Sequence, residues 1–399
     1  MNEEIKPTRL LSLDVFRGLT IAGMVLVNNP GTWSAIYPPL KHAEWHGATP
    51  TDYIFPFFLF IVGIAIPIAL GKRIEEGING DVYLKILRRA ATIFGLGLFA
   101  AAFPLLDLTN SDLPQSAKIL TMFSVMAVCY LWLAGRNKET LITAGFTVLF
   151  LAVFYFSGFT FVLFNPETLR IPGVLQRIAV CYLIVSVVFL HTNWKQQVGI
   201  GAVLLFVYWI LMTAIPVPGC EITTVDDKAC NLAAYLDRLI LTENHIWKSA
   251  KVYDPEGILS TIPALVTTIS GVLTGTWLKS KKSDLEKVGG LFFFGIVLVA
   301  LGWIWHSFFP LNKPLWTSSY VVYTSGLALC FLGFCYWLID IKGYKKWTKP
   351  FVIFGVNALA LFVFSGLLAK MLGAIKVAGA EAGKEISLQK WIFDSIFAP

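Results

Sequence analysis

Residues 41–52 read KHAEWHGATPTD and set two of the chain's five histidines, His42 and His46, four positions apart. Two imidazoles at i and i+4 share one helix face, and with a glutamate directly after the first they form the zinc-protease pattern. Here the glutamate is Glu44, one place too late. Gly47 and Pro50 also oppose a continuous helix, one by its flexibility and the other by its missing amide proton. No metal site is expected. Two roles remain: acid/base chemistry by an imidazole, which titrates near neutral pH, and capping of the helix that follows, with Thr49 as N-cap and Asp52 as N3. For Asp52, capping is the favoured reading.

Other polar residues interrupt apolar sequence. Asp14 and Arg17, in LDVFRG, lie i, i+3 on one helix, where side chains can meet. They pair, face a polar cavity, or form an ion pair at the inner interface that holds two helices together. Asn28 and Asn29 end the same helix before Pro30 and Gly31, and backbone that unwinds at membrane depth needs protein or water around it. That predicts a cavity opening outward beneath His42. In RIPGVLQRIAV, Pro172 and Gly173 start a helix and Gln176 and Arg177 lie one turn inside, facing water or another helix, or capping and snorkelling. In YDPEGIL, Asp254 and Glu256 precede a helix whose dipole favours acids. There is no GxSxG elbow, phosphate-binding GxxxxGK[ST] loop, GxGxxG fingerprint or CxxC pair.

The elements that must position these residues are membrane helices. Hydrophobic residues make up 56% of the chain and charged ones 14%, far from a soluble composition. Eleven apolar runs are long enough to span a bilayer: 12–28, 52–70, 84–103, 118–134, 141–158, 174–191, 198–215, 258–278, 288–308, 318–338 and 351–370. The fold class is therefore an all-α integral membrane bundle of about eleven helices, one domain over 1–399, with short loops and one longer outer loop at 216–257. Residues 1–9 carry both charge signs and no cleavage site follows the first apolar run, so that helix is not a signal peptide. With the N-terminus inside, the larger share of Lys and Arg, including Lys6, Arg9, Arg88 and Arg89, falls on the cytoplasmic side. Topology and anionic lipid explain the net charge of +7, and no nucleic-acid motif appears. Cys220 and Cys230 lie in the outer loop and the other four cysteines in helices. An oxidising compartment would permit a disulfide there, the alternative being two free thiols.

FRGLTIAGMVLVNN, KHAEWHGATPTDYIFPFFLFIVG, RIPGVLQR, PVPGC, YLDRLIL, YDPEGIL and NKPLWTSSYV occur in this order and cover most of the chain from Arg9 to about Asn357. Together they resemble the membrane-bound heparan-α-glucosaminide N-acetyltransferase family. The resemblance implies an enzyme that takes acetyl groups from cytoplasmic acetyl-CoA and delivers them to a glucosamine amine across the membrane. The family's catalytic histidine, in an HAxW motif, lands on His42, as general base or acetyl-carrying nucleophile. Asn28 matches a helix-ending asparagine that could donate to the thioester oxygen. The recurrence of the two loop cysteines supports a Cys220–Cys230 pair. Asp254 and Glu256 become orienters of His42 or of the sugar, with Trp45, His46 and Asp52 on the acceptor side. Arg88 and Arg89, with Arg17, Asp14 and Arg177, become the donor side. Relatives of this kind also suggest a homodimer.

The chain departs from the animal lysosomal enzyme in several ways. It lacks the large lumenal N-terminal domain, has His46 where an asparagine is usual, carries two extra apolar segments near 118–158, and stops at Pro399 where relatives continue into one further helix. The missing N-terminal domain, the short loops and the inner-side basic bias lead to the expectation of a bacterial inner-membrane protein with a periplasmic active face. Its acceptor would be glucosamine, a cell-wall or chitosan-like amino sugar, or an imported glycosaminoglycan fragment. A sugar transporter or exporter and an O-acyltransferase of the same fold stay open as alternatives.

Overall fold

In the computed structural model, which describes residues 10–33, 36–379 and 385–397, all eleven apolar runs fall on helices. The inner-side cations Lys6 and Arg9 lie outside the described residues. The protein is an all-α polytopic membrane protein. Among the described residues nine helices are long and apolar enough to cross a membrane. These are α1 (Leu11–Asn28), α2 (Pro50–Glu75), α4 (Gln115–Leu133), α5 (Asn137–Phe156), α6 (Val174–His191), α7 (Trp194–Ala214), α9 (Thr261–Leu278), α10 (Asp284–His306) and α11 (Ser318–Cys335). The run at 84–103 is α3 (Gly80–Ala102), whose first half carries Asp81, Lys85, Arg88 and Arg89. The run at 351–370 is not one straight span: it breaks by 83° at Asn357 into α12 (Lys349–Val356) and α13 (Ala358–Ala374).

These helices belong to two compact units. The first takes in the described part of Met1–Met24 together with Pro39–Gly97 and Arg170–Ala358. Its tightest pairs are α2 with α9 and α10 with α11. Small residues permit this: a Cβ on Gly63 would lie 2.0 Å from the Thr268 carbonyl oxygen, and one on Gly271 2.0 Å from that of Phe60. Backbones can therefore meet directly, the usual basis of helix association in lipid. Phe16, Phe60, Ile64, Leu291 and Leu332 fill the core between α1, α2, α10 and α11. A second core of Trp45, Tyr208, Val217, Leu232, Tyr253, Phe309 and Leu315 lies at one end, beneath the loops.

The segment between α7 and α9, read from the sequence as one longer outer loop, contains a ten-residue helix, α8 (Leu232–Leu241). Asn231 caps it, accepting from the Ala234 N–H at 2.9 Å. The second unit takes in Val25–Pro38, Leu98–Leu169 and Leu359–Pro399. It holds α4, α5, most of α13, the short α14 (Leu388–Ile392) and two antiparallel ribbons, Leu106–Asp107 with Val162–Leu163 and Lys376–Ala378 with Glu385–Ser387. Leu141, Ile142, Val148, Leu149 and Phe156 stand exposed along α5, as a lipid-facing helix requires.

Candidate active site

The loops after α1, α7 and α10 meet at one end of the first unit. Gly47 donates its N–H to Leu311 O at 2.7 Å and pairs in parallel with Asn312. Its φ of +93° is one that favours glycine, which explains Gly47 directly after His46. Trp45 is buried and donates its indole N–H to Val225 O at 2.8 Å, while Tyr253 packs edge-on at 5.2 Å. Its indole is committed to the protein, so Trp45 anchors the loop rather than offering an open face to a sugar.

At the start of α2, Asp52 is 1% exposed. Its Oδ2 accepts from Thr49 N at 2.9 Å, Thr49 Oγ1 at 3.1 Å and Ala43 N at 3.0 Å. Tyr320 of α11 donates its hydroxyl to the Asp52 carbonyl. Oδ2 therefore caps the helix, as the sequence predicts, while Oδ1 does something the local sequence did not show: it lies 2.6 Å from His42 Nδ1. A carboxylate only accepts, so Nδ1 carries the hydrogen and the Nε2 lone pair is left available. His42 itself is well exposed. An exposed imidazole held by a buried carboxylate is the arrangement of a general base or nucleophile.

Lys313 completes the cluster from the α10–α11 loop. Its Nζ lies 3.1 Å from His42 Nδ1, 3.5 Å from His42 Nε2 and 3.5 Å from Asp52 Oδ1. Burial pulls its ammonium below the ordinary lysine value against the opposing pull of Asp52 and Glu256. His46 is tied differently, with Nε2 2.8 Å from Asp226 Oδ1 and Nδ1 3.4 Å from the Asn312 amide nitrogen. It fastens the α1–α2 loop to the α7–α8 loop, whose Cys220 and Cys230 form a disulfide with Cα atoms 5.8 Å apart.

Asp254 and Glu256 are not the orienters of His42; Asp52 is. Arg170 takes both of them, at 2.6–2.9 Å from Asp254 and 2.6 Å from Glu256. Burial depresses the Arg170 pKa, but those two carboxylates outweigh it and raise the guanidinium above its ordinary value. Asp237 on α8 accepts from Ile258 N at 2.9 Å, and burial pushes its carboxyl up to about 6. Arg177 is fully buried, donating to Gly257 O and Ser260 Oγ with its guanidinium 5.1 Å from the Trp316 ring. Through these contacts it braces α6 against the loop before α9.

Asp14 and Arg17 pair at 3.4 Å, and Arg17 also reaches Gly355 O on α12, so they link two helices. Arg88 and Arg89 are exposed on α3, with Arg89 5.1 Å from the Tyr182 ring. Asn28, exposed at the end of α1, belongs to the second unit. The groove beside Asn29, Pro30 and Gly31, about 260 Å³, is lined also by Leu368, Ala369, Ile392 and Phe393, and none of residues 41–49 lines it. Sequence reasoning missed Lys313, Arg170, Asp226 and Asp237. Arg170, Asp237 and Lys313 lie in motifs noted for other reasons, RIPGVLQR, YLDRLIL and NKPLWTSSYV, but no local spacing ties them to the site.

Fold and site thus define a multi-pass α-helical membrane protein with a carboxylate-held histidine at one end of its first unit. A family model described as a domain of unknown function (DUF5009) matches residues 9–235, and the chain belongs to that family. It is also related to the heparan-alpha-glucosaminide N-acetyltransferase of Homo sapiens, 27% identical over 409 residues, covering 90% of this chain and 52% of the human protein. The Mus musculus protein of the same name is 26% identical over 407 residues, 89% of this chain and 53% of its own. The chain spans about half the length of the relatives it matches. The likeness read from the motifs is borne out.

Proposed function

We propose that this protein is a transmembrane acetyltransferase moving acetyl from cytoplasmic acetyl-CoA to the amine of a glucosamine-type sugar on the periplasmic side of a bacterial inner membrane. The acetyltransferase class rests on the two relatives, and the observation that carries the chemistry is the 2.6 Å His42–Asp52 contact. An aliphatic ammonium must lose a proton before it can attack a thioester. The amine gives its first proton to water; Nε2 of His42 takes a second as the nitrogen bonds to the acetyl carbon, the C–S bond breaks, and that second proton passes to the departing sulfur, so that CoA leaves as the thiol and the sugar as the neutral amide. In the other route Nε2 attacks the acetyl carbon, the C–S bond breaks and CoA leaves as a thiolate that takes a proton from water; the free amine then displaces the imidazole from the acetyl carbon and gives its proton to the released Nε2. Asp52 has one task in both routes, holding the ring in the Nδ1–H tautomer and balancing the imidazolium that forms. Arg88 and Arg89, exposed on α3, are the cations proposed for the CoA phosphates.

The test is free-CoA release by purified protein given acetyl-CoA with and without glucosamine, beside His42→Ala. Glucosamine-dependent release in the wild type that falls to background in the variant supports the reading. Equal release by both proteins, or none with any amine, sinks it.

A further inference from the structure

Resting on the acetyl-transfer reading, we propose that Lys313 is a positioning residue of the dyad: it supplies the positive charge that the buried Asp52 carboxylate requires, leaving the His42 ring neutral and Nε2 unprotonated. Three neutral donors satisfy Oδ2 of Asp52, and none of them brings charge. Among the described residues the cationic or ionisable nitrogens within salt-bridge distance of Asp52 belong to His42 and Lys313. A carboxylate taken out of water needs a counter-charge nearby. If the imidazole were that counter-charge, both ring nitrogens would hold protons and no base would be left. Lys313 removes the conflict, because a cation 3.1 Å from Nδ1 balances Asp52 and opposes a second positive charge on the ring.

The geometry also fixes how the three groups share their hydrogens. Nδ1–H is committed to Asp52 Oδ1, so Nδ1 has no lone pair for the ammonium. The ammonium can donate instead to Asp52 Oδ1, 3.5 Å away, which leaves the Nε2 lone pair to the substrate. The groups facing Lys313 are Asp52 of α2, His42 of the α1–α2 loop and Glu256 of the loop before α9, the last already held by Arg170. Only 18% of the lysine side chain is exposed, and burial lowers its pKa. The charged form prevails below that lowered value and is lost as pH rises through it. Activity must therefore fall on the alkaline side at a pH below the ordinary lysine range.

Lys313→Met and Lys313→Arg in the full chain test this by kcat/KM against pH, with thermal unfolding as a check on folding. The methionine variant is expected to lose about tenfold or more in kcat/KM, mostly in kcat. The arginine variant should retain activity and move the alkaline limb to higher pH, since guanidinium stays charged. A reading independent of activity is the ¹⁵N spectrum of the His42 ring, assigned with His42→Gln, at one near-neutral pH. It should show a neutral Nδ1–H ring in the wild type and a protonated or mixed ring in Lys313→Met. An unchanged ring state in a folded Lys313→Met protein, or an unmoved alkaline limb in Lys313→Arg, overturns the proposal. If no acetyl transfer is found at all, the ring spectrum alone decides the role of Lys313, separately from the enzymatic reading.

Discussion

At the scale of single residues, Asp52 joins folding to chemistry. One oxygen caps α2 and closes the loop onto it through Ala43 and Thr49; the other orients His42. Replacing it by asparagine removes the charge but keeps the shape. Asp52→Asn should lower kcat by roughly 10² to 10⁴, because the ring loses its enforced tautomer and its counter-charge. The weakened cap should cost about 1 kcal/mol. Steady-state kinetics and a melting curve on the same preparation separate the two effects, and a near-normal kcat would remove Asp52 from the mechanism.

At the scale of elements, the α2–α9 pair sets where the site residues meet. Asp52 is in the first turn of α2, and the Asp254–Gly257 turn leads into α9. Their backbone contact therefore governs the distance between the dyad and the Arg170 cluster. A methyl on Gly271 would meet backbone, which cannot rotate away. Gly271→Ala should destabilise by about 1–3 kcal/mol and lower activity with it. Gly145→Ala on α5 is the control: its Cβ meets nothing within 4 Å, and helix propensity alone predicts a gain of up to about 1 kcal/mol. Equal melting temperatures for the two variants would show that the close approach is not holding the pair.

For the whole molecule, the informative regularity is that loops alternating to one end of the helices do meet. The α1–α2 loop touches the α7–α8 loop through Trp45 and His46, and the α10–α11 loop through Gly47. Connections at the other end carry Lys279, Lys281 and Lys282, on the side assigned to the cytoplasm. A cysteine replacing Ile222, which is 74% exposed in the α7–α8 loop, should react with a membrane-impermeant maleimide on intact cells. One replacing Lys282 should react only after permeabilisation. The reversed pattern would place His42 on the cytoplasmic side and end the proposal of transfer across the membrane.

The sequence by itself determined the membrane class and the apolar helices, and it singled out His42 as the candidate for the chemistry. Apolar run length and an HAxW segment are local properties, and a helix satisfies its backbone within its own span. It also separated Cys220 and Cys230 from the helical cysteines, though not the α8 helix between them and α9. Tertiary structure decided the partners. Asp52 is legible as a cap because Thr49 is three residues away, but its hold on His42 depends on how residues 41–49 fold back over the start of α2. Arg170 lies 84 residues from Asp254, and Lys313 lies 271 residues from His42. The bend at Asn357 within one apolar run is likewise invisible to hydropathy. Charge pairing across loops follows from which helix ends are packed side by side, and no periodicity within a segment records that.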